Sequence, residues 1–261
     1  MTMEKFRDNQ PIIIGLAGKA GSGKTSVAES IIPKGSLEAT KFGYRWDHLF
    51  FALPLYEMAS IKKNIMGANE KSRKLFALHS TLYDLYGGSA IGNMPAYDKF
   101  VEMVREIEAL PIEPEGIKPR TFLQKAGDIC RQDYPECFAH WAIIKGNRLY
   151  NQFCNENDDI DNSKMAIIIS DVRYPNEAAA IQKQPNGIVI CFDASEETLN
   201  DRLLKRDGQL PTKAQSEHAS ENGIEAVKEM ADIIINTDDM SLEDQTLNTL
   251  IALGVKVKTN A

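Results

Sequence analysis

The chain has 261 residues, 43% of them hydrophobic and 26% charged, which suits one large globular domain or a core carrying an inserted lobe. A formal net charge of -7 provides no overall positive field toward nucleic acid or anionic lipid, so phosphate chemistry must gather its basic groups locally. No run approaches the about 18 apolar residues of a membrane span, residues 1–10 lack the apolar core of a signal peptide, and Cys130, Cys137, Cys154 and Cys191 form no C-x-x-C pair; a cytoplasmic protein with free thiols is expected.

Residues 11–15 form a short apolar run of buried-strand type. Gly18-Lys19-Ala20-Gly21-Ser22-Gly23-Lys24-Thr25 follows and fits G-x-x-x-x-G-K-[ST] without a mismatch. Residues 26–32 have helical spacing, and Pro33 ends them. Strand, glycine-rich loop and helix together predict an anion cradle. The glycines let main-chain N–H groups turn inward, and the helix presents its positive dipole end. Gly18, Ala20, Gly21, Ser22, Gly23, Lys24, Thr25 and Ser26 are the expected contacts for ATP phosphates. Lys24 would reach the β/γ oxygens, and the Thr25 hydroxyl would ligate Mg²⁺.

A polar connector is read over residues 34–47, a strand over 48–52, and a helix started by Pro54. His48 reads as a strand-end residue, since no second metal-ligating residue is suitably spaced. Residues 60–163 are mainly helical. Amphipathic helices are expected over 71–86 and 97–110, with a glycine-rich loop between them, and two more over 120–131 and through Trp141 to Phe153. Three further strands are expected, at 165–170, 187–192 and 231–236. The helices beside them start near Ala178, at Ser195 as N-cap, before Ala231, and at Ser241 with Asp244 three residues on. Five strands alternating with helices predict an α/β fold with a parallel sheet, and the long helical stretch inserted between the second and third strands.

Ligands of such sheets sit beyond the carboxyl ends of the strands. Asp171 follows an apolar strand directly, where a carboxylate can hold Mg²⁺-bound water or accept a proton; capping of the next helix is the other reading. Arg173 lies two residues on and suits a bidentate phosphate contact. Arg202 and Arg206 share a helix face ahead of a polar stretch of lid length. They fit either charge stabilisation over the phosphates or a solvated basic face.

These residues together resemble the P-loop nucleotide kinases, most closely the deoxynucleoside monophosphate kinases of phages. Ser170-Asp171-Val172-Arg173-Tyr174-Pro175-Asn176-Glu177-Ala178 is similar to that family's D-V-R-[FY]-P-N-E-A stretch. Phe51-Ala52-Leu53-Pro54-Leu55 resembles its F-A-x-P-L segment, and residues 120–131 resemble its R-x-x-L-Q-x-x-G-x-x-x-R helix. Residues 232–236 resemble a late strand ending in Asn that dephospho-coenzyme A kinases also carry. The matches spread over nearly the whole chain. The phosphate loop is generic; the stretch from Asp171 to Glu177 is far more specific. Two features depart from the pattern: Gly127-Asp128-Ile129 where relatives often have Gly-Thr-Glu, and a long helical lobe.

The resemblance implies a three-layer P-loop kinase fold with a five-stranded parallel sheet. Residues 1–59 and 164–261 would form the nucleotide core, 60–163 the acceptor-binding helical lobe, and 205–223 a lid. It implies Lys24, Asp171, Arg173, Arg202 and Arg206 as catalytic groups, Thr25 and Asp171 as Mg²⁺ ligands, and Arg120, Gln124, Arg131 and Arg173 as contacts to a nucleotide acceptor. The host cytoplasm is the expected location if the chain is phage-encoded. No nucleic acid or membrane partner is expected, and a homodimer stays open. His218 reads equally as a lid residue or an exposed loop residue. Three rival readings stand beside this one. The first is a kinase acting on a hydroxyl such as that of a modified base in DNA, with Lys71, Arg73 and Lys74 as its track. The second is a nucleotide switch using Asp84-Leu85-Tyr86-Gly87, and the third is a non-catalytic binding module.

Overall fold

The computed structural model describes residues 10–32, 38–41, 44–87, 94–156, 164–213 and 223–255. The chain divides into two compact units: residues 1–50 with 145–261, and residues 51–144.

In the first unit, β1 (Ile12–Ala17), β3 (Tyr44–Leu49), β4 (Lys164–Val172), β5 (Gly187–Asp193) and β6 (Ile233–Asn236) run parallel, as the alternation of strands and helices leads one to expect. A sixth strand, β2 (Glu38–Lys41), pairs antiparallel with β3 at the edge, inside the segment read as a connector. The order is β2-β3-β4-β1-β5-β6. The second parallel strand lies at Tyr44–Leu49 rather than at 48–52. Charged Arg45 and Asp47 hide it in the sequence, yet both are accommodated: Arg45 Nε lies 3.6 Å from Asp47 Oδ2, and the guanidinium covers the Phe153 ring at 5.2 Å. The apolar run after it turns the chain into the next helix instead.

Helices cover both faces of the sheet. On one face α1 (Lys24–Ile31) packs Val27, Ala28 and Ile31 onto Ile12, Ile14, Leu16, Trp46 and Ile168, joined by Leu250 and Leu253 at the end of the last helix. α7 (Pro175–Gln182) takes the other face, where Ile181 closes on Gly15: a Cβ at Gly15 would lie 2.6 Å from Ile181 Cδ1. α8 (Glu196–Asp207), α9 (Ile224–Met230) and α10 (Leu242–Ala252) complete the unit. Two caps form as their sequences require. Ser195 Oγ accepts from Thr198 N at 3.3 Å, and Ser241 Oγ accepts from Asp244 N at 3.1 Å.

The second unit holds α2 (Leu53–Asn64), α3 (Glu70–Leu85), α4 (Tyr97–Ala109), α5 (Arg120–Arg131) and the start of α6 (Cys137–Glu156). Its boundaries differ from the 60–163 expected. α2 packs on α3 and α5, so it belongs with the insertion, and the later half of α6 belongs with the sheet, where Gly146 meets Ile167 and Leu49. The buried side of α5 carries Phe122, Ala126 and Cys130, and Tyr86 OH donates to Cys130 O at 2.6 Å.

Candidate functional site

β1 is buried along its whole length, and the loop leaving it has the backbone of a cradle. Gly18, Gly21 and Gly23 hold φ of 139°, 88° and 96°, a region that side chains with a Cβ rarely adopt. All three of these glycines are also pressed by neighbours: a Cβ on Gly18 would sit 2.5 Å from Phe192 O on β5. A Cβ on Gly21 would sit 2.9 Å from Leu199 O on α8, and one on Gly23 would strike Gln245 Oε1 on α10. Gln245, 4% exposed, is fixed by its amide, which donates to Met240 O at 3.1 Å. Within the loop the Ser22 amide donates to Lys19 O at 3.2 Å. Ser22 Oγ is buried with no hydrogen-bond partner among the described residues. Lys24, 6% exposed, folds back so that Nζ donates to Lys19 O at 3.0 Å.

α1 starts at Lys24 with Gly23 as its N-cap, so no side chain caps it, and no acidic residue lies in its first turn. The first amides of a helix have no intrahelical acceptor, so this end favours an anion. Thr25 and Ser26 are exposed there. The residues fit a polyphosphate. The left-handed glycines keep the main chain bare, and an orphaned buried hydroxyl and an ammonium group stand ready as donors.

The connection from β1 crosses β4 to the β2–β3 edge on the face of α1, and that from β4 crosses β1 to β5 on the face of α7, so the chain leaves these two neighbouring strands in opposite directions beyond their carboxyl ends, where ligands of such sheets sit. Asp171 belongs to the end of β4. The β1–β4 register slips there: Gly15 pairs with Ile169 but Ala17 pairs with Val172, so Ser170 and Asp171 together oppose Leu16. This is a β-bulge, which can re-aim a side chain. Val172 returns to the face of Gly15, since its Cγ2 would lie 3.0 Å from a Cβ placed there. Asp171 therefore shares with Ser170 the face on which α1 packs. Among the described residues no group of three or more His, Cys, Asp or Glu could hold a metal ion unaided. Thr25 and Asp171 suit Mg²⁺ in the mode that completes its shell with water and phosphate.

After Val172 the chain turns over a buried carboxylate. Glu177, 2% exposed, accepts from Arg173 N at 2.9 Å and from Tyr174 N at 3.1 Å. The Glu177 amide donates in turn to Asn176 Oδ1 at 3.0 Å. With Pro175 opening α7, this fixes the main chain that carries Arg173. Sequence reading singled out Asp171 and Arg173 but passed over Glu177. Its signal was available, because an acidic residue two past a helix-opening Pro is placed to cap.

Arg202 and Arg206 have separate partners in this structure. Arg202 Nη1 donates to Thr237 Oγ1 at 3.0 Å and Nη2 to Thr237 O at 2.5 Å, tying α8 to the turn after β6. Thr237 Oγ1 also reaches Ser22 O at 3.5 Å and Asp193 O at 3.1 Å. Arg206 forks onto neighbouring Asp207, with two bonds of 2.7 Å. At the end of β5, Asp193 pairs with Lys228 Nζ at 2.6 Å, which raises the Lys228 pKa. Of the expected lid over 205–223, residues 214–222, and His218 with them, lie outside the described residues.

In the second unit, Arg120, Gln124 and Arg131 fall at helical positions i, i+4 and i+11 and so lie along one side of α5, each partly buried. Gly127 leaves room on that side: a Cβ there would lie 2.8 Å from Arg131 Nη1, and the Arg131 guanidinium covers the Phe138 ring at 4.4 Å. The D-x-x-G segment has a structural role. Asp84 lies in α3 and its Oδ2 accepts from Trp141 Nε1 at 3.0 Å. In the basic cluster of α3, Lys74 pairs with Glu70 and Arg73 donates to Met66 O at 3.3 Å.

No family model matches the sequence, and no curated protein does. No helix among the described residues is long and apolar enough to cross a membrane. Among solved structures, the crystal structure of TT1252 from Thermus thermophilus aligns with 94% of this chain and 99% of that one, at 16% identity and a TM-score of 0.40.

Proposed function

We propose that the protein is a kinase that transfers the γ-phosphoryl group of ATP to the 5′-phosphate of a nucleoside or deoxynucleoside monophosphate. The observation that carries this reading is the main chain of residues 18–25: three left-handed glycines, a buried lysine and an uncapped helix start, at the carboxyl end of β1 beside β4. A cradle of this kind binds a polyphosphate without reading a base. The specific stretch from Asp171 to Glu177, from the end of the adjacent strand into α7, supports a kinase.

An acceptor phosphate is already ionised near neutral pH, so the reaction needs no strong base. Positioning and charge neutralisation supply most of the rate. Main-chain amides of the loop and Lys24 hold the donor's phosphates. Thr25 and Asp171 would hold Mg²⁺, which neutralises charge on the donor's β and γ oxygens. Arg173, on a main chain fixed by Glu177, presents a planar fork to the transferring group. On the inserted unit, the Arg120–Gln124–Arg131 side of α5 supplies contacts for the acceptor. Cytoplasmic nucleotide metabolism, in a host cell if the chain is phage-encoded, fits these substrates.

A panel pairing ATP and Mg²⁺ with each common nucleoside and deoxynucleoside monophosphate tests the reading. Expected products are ADP and one diphosphate, formed one for one. Phosphate transfer to a DNA hydroxyl, with none to any monophosphate, would favour the rival acceptor. ATP binding without any turnover would favour a binding module.

A further inference from the structure

Both terminal nitrogens of Arg202 are turned to one residue beside the phosphate loop. Nη1 donates to Thr237 Oγ1 at 3.0 Å and Nη2 to Thr237 O at 2.5 Å. Thr237 is fully buried against the end of β5. Its amide donates to Asp193 O at 2.7 Å, and its hydroxyl lies 3.1 Å from the same oxygen and 3.5 Å from Ser22 O in the loop. A guanidinium only donates, so Thr237 Oγ1 accepts from it, and the single hydroxyl proton is left for those two carbonyl oxygens. The arginine thus aims the hydroxyl at β5 and the loop.

The same turn holds α8 at a second point, where Ser195 N, at the N-cap, donates to Asp238 Oδ1 at 2.9 Å. Ser195 and Arg202 are about two helical turns apart, so both lie on one side of α8. The Asp238 bond is open to water and those of Arg202 are partly buried, which makes the arginine the firmer hold. Leu199 and Leu203 lie beside it. A Cβ on Gly21 would sit 2.9 Å from Leu199 O and 3.2 Å from Leu203 Cγ. α8 is therefore the surface on which the left-handed Gly21 rests, and the turn at 237–238 limits how far that surface can roll away.

We infer that Arg202 is a positioning residue for the donor nucleotide: through Thr237 it seats α8 and the Ser22 carbonyl, and so keeps the phosphate loop in its binding shape, without touching the transferred group. The inference rests on the kinase reading for what the loop binds, and on these contacts alone for the brace.

Two measurements test it. The first is ADP affinity by calorimetry, together with kcat and the KM for ATP, for the wild type and for Arg202→Met, Thr237→Val, Thr237→Ser and the Arg202→Met/Thr237→Val pair. Arg202→Met keeps the aliphatic stem and loses the fork; Thr237→Val keeps the shape and loses the hydroxyl. Each is expected to weaken ADP binding and raise the KM for ATP about tenfold, the scale of one hydrogen bond to a charged group. The pair should lose clearly less than the product of the two losses, because both act on one contact. Thr237→Ser should bind as the wild type does. A charge-stabilising role gives the opposite split: kcat lower by about a hundredfold in Arg202→Met, with its ADP affinity unchanged and Thr237→Val unaffected. That result, or multiplied losses in the pair, would overturn the inference. The second measurement is hydrogen exchange of the Ser22 amide, which donates to Lys19 O at 3.2 Å, without nucleotide. Exchange about tenfold faster in Arg202→Met and Thr237→Val, and unchanged in Thr237→Ser, is expected. Unchanged exchange in the first two would refute the brace. Should Arg202→Met not fold, Thr237→Val carries both readouts. Absence of any ADP binding by the wild type would sink the kinase reading, and the exchange rates would still decide the brace.

Discussion

Glu177→Ala removes the acceptor for two main-chain donors at once. In the native protein a carboxylate 2% exposed takes the N–H groups of Arg173 and Tyr174 at 2.9 and 3.1 Å. Hydrogen bonds to a charged group contribute about 1.5–3 kcal/mol each, and an acidic residue in the first helical turn adds about 0.5 kcal/mol. Removing the carboxylate also relieves its own desolvation, which offsets part of the loss, and Arg173 and Tyr174 are only half-buried, so water can reach them. The net expected loss is about 3 kcal/mol for Ala. Gln keeps a carbonyl oxygen in place and loses only the charge, so about 1 kcal/mol is expected. The difference of about 2 kcal/mol corresponds to roughly thirtyfold. It should appear in hydrogen exchange of the Arg173 and Tyr174 amides, which report local opening. Equal exchange in the Ala and Gln variants would refute the assigned role of Glu177. If that main chain also serves the reaction, kcat should fall in Glu177→Ala while the KM for ATP, set at the loop after β1, stays near its wild-type value.

Lys24→Ala should lower turnover by at least about a hundredfold, the usual cost of losing one preorganised charge-stabilising donor, with an unchanged circular dichroism spectrum; wild-type-like turnover in the folded variant would refute its role. Gly23→Ala must place a Cβ at φ 96° and against Gln245, so it should weaken ADP binding and cost about 1–2 kcal/mol in stability; Gly208→Ala, also left-handed at φ 71° but with open space around it, should cost only the backbone part. Burial lowers the His48 pKa from 6.5 to about 4. A base whose folded pKa is depressed contributes stability that is complete above the unfolded value and is lost as pH falls from about 6.5 to 4, here about 3 kcal/mol; urea titrations across that window should show the loss in the wild type and not in His48→Gln.

The α/β alternation was legible because the strands at 164–172 and 187–193 are apolar runs buried on both faces, which few other structures accommodate. The helix over residues 120–131 was legible to its ends, since Pro119 opens it and polar and apolar residues segregate around it. The second parallel strand was not. Its Arg45 and Asp47 break the apolar signal; they face each other along the strand, and the Phe153 ring, more than a hundred residues on, covers the guanidinium. The edge strand Glu38–Lys41 carries no pattern of its own and exists by pairing with β3. At the site, the loop and Asp171 could be named from spacing alone. The bulge that turns Asp171 could not, because it is a property of two strands in register. Gln245 and Thr237 escaped for the same reason: each lies more than two hundred residues from the loop it supports, Thr237 standing 215 residues after Ser22. Arg202 reads in sequence as a residue that closes over phosphate, yet its guanidinium is spent here on Thr237.

The most direct test follows the terminal phosphoryl group itself. With ATP labelled at the γ position, Mg²⁺ and the preferred monophosphate, the wild type should move the label into the diphosphate of the acceptor in step with ADP release, and Lys24→Ala should not. Label appearing only as inorganic phosphate, or remaining in ATP with every monophosphate offered, would contradict the proposed transfer.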